Sequence, residues 1–177
     1  LILEEHTRLY DNYEPLDEET EGIWSDYIVE TLHHAGFHRY EVSNYALGDH
    51  ESEHNKVYWH YENYYGVGIG ATGKIDDELI SHTRSLTDYL QGKNTIYIEK
   101  ETIEDTMFNH LMMSLRLEEG LDLDEFKRRY DRTIEEVYKE PLTKNLEKRT
   151  LIIEDNHLKT NHTLDFLNSI LLDFLPE

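Results

Sequence analysis

From Glu101 onward the chain repeats one pattern: apolar residues at helical spacing, bracketed by residues that start and stop helices. Ile103, Met107, Phe108, Leu111 and Leu115 share one face at a period near 3.6. Thr102 with Asp105 forms a capping-box pattern ahead of them, and Gly120 follows as a left-handed stop. Asp122 is placed to cap a second helix through Tyr130, and Thr133 with Glu136 a third running toward Lys148. Pro141 must kink or split that third helix, because proline lacks an N–H and crowds the preceding turn. The β-rich Leu151-Ile152-Ile153, a turn at Asp155-Asn156 and Leu158 predict a hairpin over 151–160. Leu164, Leu167, Ile170, Leu171 and Phe174 predict a last helix ending at Pro176. Three helices, a hairpin and a helix make the winged-helix order.

The first half has a different texture. Leu1-Ile2-Leu3 reads as the inside of a buried strand, so the chain is expected to be a piece of a longer protein. Glu4 to Pro15 is polar and tyrosine-rich, and reads as a loop. Asp17 to Ala35 is a predicted helix. Acids crowd its first turn, and Ile23, Trp24, Tyr27, Ile28, Leu32 and Ala35 keep helical spacing up to Gly36. Arg39 to Asn44 follows as a predicted strand. Strand, helix, strand is the unit of an α/β sheet. Gly48 to Gly73 has no periodicity and is rich in glycine, aromatics and histidine, which marks a functional loop rather than disorder. Ser85 to Gln91 is a predicted short helix, and Asn94 to Lys100 a predicted extended boundary.

Charge and composition exclude several partners. The 177 residues carry 38 acids against 17 bases, a formal charge of -21. A field of that sign repels phosphate backbones, so neither nucleic acid nor an anionic membrane surface is expected as a partner. In and around the third predicted helix, Arg132, Lys139, Lys144, Lys148 and Arg149 are matched by Asp131, Glu135, Glu136, Glu140 and Glu147, which is a solvated face and not a phosphate track. No stretch reaches the roughly 20 apolar residues of a membrane span. No secretion leader is recognisable, so the cytoplasm is the expected location. The chain has no cysteine, so it can form neither a disulfide framework nor a thiolate metal site.

The densest constellation is His54-Asn55-Lys56-Val57-Tyr58-Trp59. Tyr40-Glu41-Val42-Ser43-Asn44-Tyr45-Ala46 lies upstream, and Tyr65-Gly66-Val67-Gly68-Ile69-Gly70-Ala71-Thr72-Gly73 downstream. His50, His54 and His60, with Glu51 and Glu53 nearby, offer metal-ligand types. The His50–His54 spacing needs a helix that the pattern does not predict, so a dedicated metal site is not expected. His33-His34 at a helix end is explained by the helix dipole.

This order resembles the HemW-type family, radical-SAM relatives of oxygen-independent coproporphyrinogen III oxidase. That family has a Tyr-Glu-Ile-Ser-Asn-Tyr-Ala strand, a His-Asn-x-x-Tyr-Trp motif and a glycine-rich stretch in the same sequence. Met113-Ser114-Leu115-Arg116-Leu117 with Glu119-Gly120 is similar to its Gly-Leu-Arg-Leu-x-Glu-Gly segment. The resemblance runs from Leu1 to the final helix. Thr72 stands where the family often has histidine, which puts that histidine's role in doubt here.

The resemblance implies an α+β fragment. Residues 1–95 are expected to be terminal βα units of an incomplete radical-SAM barrel with an aromatic, glycine-rich ligand loop. Residues 96–177 are expected to be a helical winged-helix-like C-terminal domain that docks or covers rather than binds DNA. It implies haem or porphyrin binding for delivery to a recipient respiratory protein, with His54 as iron ligand. Asn55 is expected to orient His54 or hold a propionate, Lys56 to pair with a propionate, and Tyr58 and Trp59 to offer flat apolar faces. The alternative is that His54 is a hydrogen-bonded loop histidine and that Tyr58 and Trp59 pin the loop to the core. Ser43, Gly66 and Gly68 are expected to face S-adenosylmethionine in the intact parent, against the plainer reading of a tight, closely packed turn. A four-iron cluster belongs to the parent as well, and without cysteine these residues cannot hold one. No catalytic residue is assigned. Two other functions are consistent with the resemblance: part of a coproporphyrinogen oxidase in porphyrin biosynthesis, or a non-catalytic docking domain.

Overall fold

The computed structural model describes residues 7–8, 10–13, 16–93, 96–161 and 164–175. The chain divides after His38 into two compact units. The strand expected at Leu1–Leu3 lies outside the described residues.

The first unit is built on helix α1 (Glu18–His34). The Asp17 side chain accepts the Thr20 N–H at 2.8 Å, satisfying an N–H that the helix itself leaves unpaired. Gly36, at φ +87°, turns the chain out of the helix. Ile23, Trp24, Tyr27 and Ile28 form an exposed apolar face.

A short strand, β1 (Phe37–Arg39), crosses the division, and β2 (Tyr45–Leu47) follows. The strand expected over 39–44 is therefore replaced by a turn flanked by strands. The reason is Glu41, which is fully buried. Its carboxylate accepts the Ser43 N–H at 2.9 Å and the Asn44 side-chain N–H, closing a local loop that competes with an extended ladder. The turn is also clamped from outside. Glu41 bridges Leu117, the Val42 N–H donates to the Arg116 carbonyl at 3.0 Å, and the Glu118 N–H donates to the Tyr40 carbonyl at 3.0 Å.

The aperiodic segment contains a helix that the pattern does not reveal, α2 (Glu53–Trp59), capped by Ser52. Two turns are too few for an apolar stripe to repeat. A meander follows: β3 (Thr72–Ile75), β4 (Glu78–His82), helix α3 (Leu86–Leu90) and β5 (Ile96–Lys100), with the strands antiparallel in the order β3–β4–β5. The helix and extended stretch expected at 85–100 are both present.

The C-terminal region begins with α4 (Ile103–Ser114), whose Thr102–Asp105 capping box is formed. Next come β6 (Leu121–Asp122), α5 (Leu123–Tyr130), α6 (Ile134–Val137), α7 (Lys139–Glu147), β7 (Leu151–Glu154), β8 (His157–Thr160) and α8 (Leu167–Leu171). The third predicted helix is split at Tyr138, three residues before Pro141. Pro141 then sits in the first turn of α7, where its missing N–H would have had no intrahelical acceptor. Asp155 and Asn156, at φ +49° and +63°, make the two-residue turn of the β7–β8 hairpin. Short 3-10 turns flank α8, so the last predicted helix is present but not uniformly α. Strand order β6–β8–β7 completes an antiparallel wing. Gly120, at φ +78°, leads into it. A Cβ there would lie 2.3 Å from the Leu158 carbonyl oxygen, so glycine is required twice over.

The mixed helix-and-strand organisation expected from sequence is thus observed, with a winged-helix element order after residue 101. Among the described residues there is no closed barrel. Residues 39–177 form one unit with one main core: Met107, Leu111, Leu115, Leu121, Phe126, Ile134, Leu142, Leu151, Leu158, Leu167 and Ile170. Each such side chain contributes about 2 kcal/mol by leaving water, more than the differences in helix propensity that it overrides.

Two histidines have opposite roles in this unit. His110 on α4 is 2% exposed and stacks between Tyr61 and Phe126, with centroids 5.9 Å away on each side. Burial, then the nearby Arg129, pulls its pKa down to about 3. The unfolded chain takes up that proton near pH 6.5 and the folded chain refuses it, so stability falls as pH drops from 6.5 toward 3. Replacing His110 by Phe should flatten this part of the stability profile in urea melts at pH 7, 5 and 4. His60 is bonded to Glu119 at 3.2 Å. That bond raises the imidazole's pKa and lowers the carboxyl's. The pair therefore stabilises most between the two ordinary values, and its contribution is lost as pH rises through the raised histidine pKa. The variant His60→Gln should lose the decline that wild type shows on going from pH 6 to pH 8, by the same urea measurement.

Candidate functional site

Helix α2 displays its motif on two faces. His54 and Tyr58 are four residues apart and so lie one above the other. The His54 imidazole is exposed, its Nε2 is 3.1 Å from the Tyr58 hydroxyl, and the rings meet edge to face at 4.9 Å. Tyr58 meets Tyr64 in the same way at 4.5 Å. Burial, then the Tyr58 phenol, pushes the Tyr64 pKa up, so Tyr64 stays neutral. Three rings thus form a ladder on the surface. Beyond Tyr64 the chain runs into the exposed apolar side chains of Tyr65 and Val67, 84% and 89% exposed.

Trp59 lies five residues from His54 and points elsewhere. It packs with Tyr40, Ala46 and Leu117, and the Arg116 guanidinium sits 4.6 Å above its ring centre. Its carbonyl accepts the Ser114 hydroxyl at 3.2 Å. Asn55 donates to the Tyr40 hydroxyl at 3.4 Å and not to His54. Lys56 is held by Glu51 at 2.9 Å and Glu53 at 3.7 Å. The face that carries His54 is therefore built from Tyr58 and Tyr64, while Asn55 and Trp59 fasten α2 to the core below it.

Three of the four motif segments singled out from sequence are brought together by this fastening. Tyr40 and Glu41 come from the first, Trp59 from the second, Arg116 and Leu117 from the third. Ser43 is exposed at the turn that Glu41 closes. Gly66 and Gly73 lie where two backbone segments cross. A Cβ on Gly66 would lie 2.5 Å from the Thr72 carbonyl carbon, and one on Gly73 2.7 Å from the Gly66 nitrogen. Tyr64 and Lys74 exchange backbone hydrogen bonds at 2.8 and 2.9 Å across the same crossing. Gly68 is different: φ is +107° and a Cβ would meet nothing within 4 Å. Thr72 opens β3 and its hydroxyl lies 3.4 Å from that of Ser81.

Sequence reasoning overlooked Tyr64. The signal was present as Tyr58, Tyr61 and Tyr64 at intervals of three, but Tyr61 breaks the helix at φ +55°, and only the fold shows which tyrosines share a face. Arg116 was read as a motif residue without a role. No group of three histidine, aspartate or glutamate side chains is placed to hold a metal among the described residues. Among them, too, no helix is long and apolar enough to cross a membrane.

The chain has clear relatives. Residues 102–162 match the HemN C-terminal domain family. The heme chaperone HemW of Escherichia coli strain K12 is 30% identical, aligned over 100% of this chain and 48% of its own. The heme chaperone HemW of Lactococcus lactis subsp. lactis strain IL1403 is 28% identical over 99% of this chain and 48% of its own. The chain thus spans about half the length of these relatives. Among solved structures, the coproporphyrinogen III oxidase HemN of Escherichia coli, a radical SAM enzyme, superposes with a TM-score of 0.67 over 90% of this chain and 42% of that one. At 14% identity that likeness speaks for the fold alone. The chain is thus similar to HemW proteins along its whole length and to the HemN C-terminal domain family over residues 102–162.

Proposed function

We propose that this chain contributes the haem-binding face of a HemW-type haem chaperone, with His54 as the iron ligand and delivery to a recipient protein as its purpose. The single observation that carries the reading is the exposed imidazole at the head of a ladder of rings, His54, Tyr58 and Tyr64, in a chain whose relatives are named heme chaperones. A macrocycle needs a neutral nitrogen donor and apolar surface beside it, and both are available here. Bound haem would supply the iron that the imidazole ligates. Tyr58 caps the Nε2 that coordination requires, so its hydroxyl must swing away first. Asn55 and Trp59 support the site by holding α2, not by touching the porphyrin. Lys56 already has two carboxylate partners, which a propionate would have to displace.

The S-adenosylmethionine side of the parent protein is assigned to Ser43 and Gly68, which are open to a ligand. Gly66, the third residue expected there, is occupied by the backbone crossing. The chain has no cysteine, so its residues do not fit a four-iron cluster and no step is drawn through one. An oxidase function draws on the likeness to HemN, which reaches only the fold.

Titration of the protein with haemin should give a saturable Soret shift. The His54→Ala variant should lose it or bind at least about tenfold more weakly; a shift of unchanged size and midpoint removes His54 from the site. The Tyr58→Phe variant, lacking the competing hydrogen bond of about 1 kcal/mol, should bind haemin up to about fivefold more tightly.

A further inference from the structure

A cavity of about 440 Å³ is bordered by Tyr61, Lys74, Asp76, Ile103, Arg129 and Tyr130. Its unusual member is Lys74. The residue is 5% exposed, yet among the described residues no carboxylate lies within ion-pair distance of its ammonium group. This is unexpected in a chain with 38 acids and 17 bases. Lys56, Lys100, Lys144 and Lys159 have carboxylate partners, and the described lysines that lack one besides Lys74, namely Lys93, Lys127, Lys139 and Lys148, are all exposed.

Three acids border the cavity: Glu62 is exposed to solvent, and the other two are engaged elsewhere. Asp77 is paired with Lys100 at 3.1 Å. The Asp76 carboxylate accepts the Asn63 side-chain N–H at 2.9 Å. Lys74 donates instead to two neutral carbonyls, that of Asp76 at 2.9 Å and that of Tyr61 at 3.4 Å, and lies 4.0 Å above the Tyr61 ring centre. Arg129 donates to the same Tyr61 carbonyl at 3.0 Å. Two cations from distant segments, β3 and α5, therefore converge on one oxygen atom. Arg129 carries Glu125 at 2.6 Å, so the uncompensated charge belongs to Lys74. A buried ammonium satisfied only by carbonyl dipoles is costly, and a second cation beside it adds repulsion. Burial and then Arg129 both pull the Lys74 pKa down. The side chain is held in place by residues in left-handed conformations, Tyr61 at φ +55° and Asp76 at φ +52°.

We propose that this cavity binds a small organic carboxylate, whose oxygens complete the ammonium of Lys74 and reach the guanidinium of Arg129, with Tyr130 and Ile103 against its carbon skeleton. The site is separate from the His54 face and does not depend on haem binding.

Malonate is a suitable probe, titrated into the protein at pH 7 by calorimetry at constant ionic strength set with chloride. One saturable site is expected, weakened at least about tenfold in Lys74→Met and about threefold in Arg129→Gln, the losses appropriate to charge-assisted hydrogen bonds. Absence of saturable binding, or tighter binding of inorganic phosphate than of malonate, overturns the assignment. Because Lys74→Met also removes buried hydrogen bonds that hold the fold, the unmutated protein supplies a second readout. Malonate should slow acetylation of Lys74 by acetic anhydride, followed by peptide mass analysis, while exposed lysines react as before. Saturable binding with unprotected Lys74 also overturns the proposal.

Discussion

Helix α4 is the wall that the larger unit shares on both sides. Met107, Leu111 and Leu115 enter the winged-helix core, with Leu111 and Leu115 fully buried. Its other side faces the motif region, where the Ser114 hydroxyl holds the Trp59 carbonyl and His110 stacks on Tyr61. One amphipathic helix would bury a single stripe. In this one no residue from Thr106 to Ser114 is exposed, so the segment carrying α2 and the helical module cannot shift independently without exposing it.

The start of α4 makes the same connection by hydrogen bonds. Glu101 accepts the Tyr61 hydroxyl and the Asn109 side chain, each at 2.6 Å, immediately before the capping box. Burial, and then the carboxylate, drives the Tyr61 phenol far above its ordinary pKa, so it remains a donor at any physiological pH. Tyr61 thereby joins three things: the end of α2, the beginning of α4 and the cavity at Lys74. The aromatic ladder at His54 sits one helix turn from this anchor, which gives an exposed site a rigid foundation.

The legible parts of the sequence were those with local causes. Thr102, Asp122 and Thr133 marked helix starts because capping needs only a side-chain oxygen and an N–H two or three residues on. The hairpin at Asp155-Asn156 was legible because two successive left-handed residues have few alternatives. The turn at 40–44 was not legible, since it depends on Glu41 being buried against Leu117, 76 positions away in a segment that composition does not connect to it. Helix α2 was hidden by its length. The β3–β4 hairpin was missed because Asp76-Asp77 resembles any polar turn and its strands carry little alternation.

For the site, the sequence by itself determined the ingredients: an acidic chain, no thiolate, and an imidazole, two hydroxyl-bearing rings and an indole within a few residues of each other. That His54 and Tyr58 share a face depends on helix α2, which the sequence pattern did not reveal. Only the tertiary structure decided that Trp59 faces inward beneath Arg116, that Tyr64 joins the ladder, and that Lys74 is buried beside Arg129. These are outcomes of packing between segments far apart in the chain. A side chain's periodicity says which face it occupies, but burial depends on what arrives to cover that face, and that information is distributed over the whole sequence.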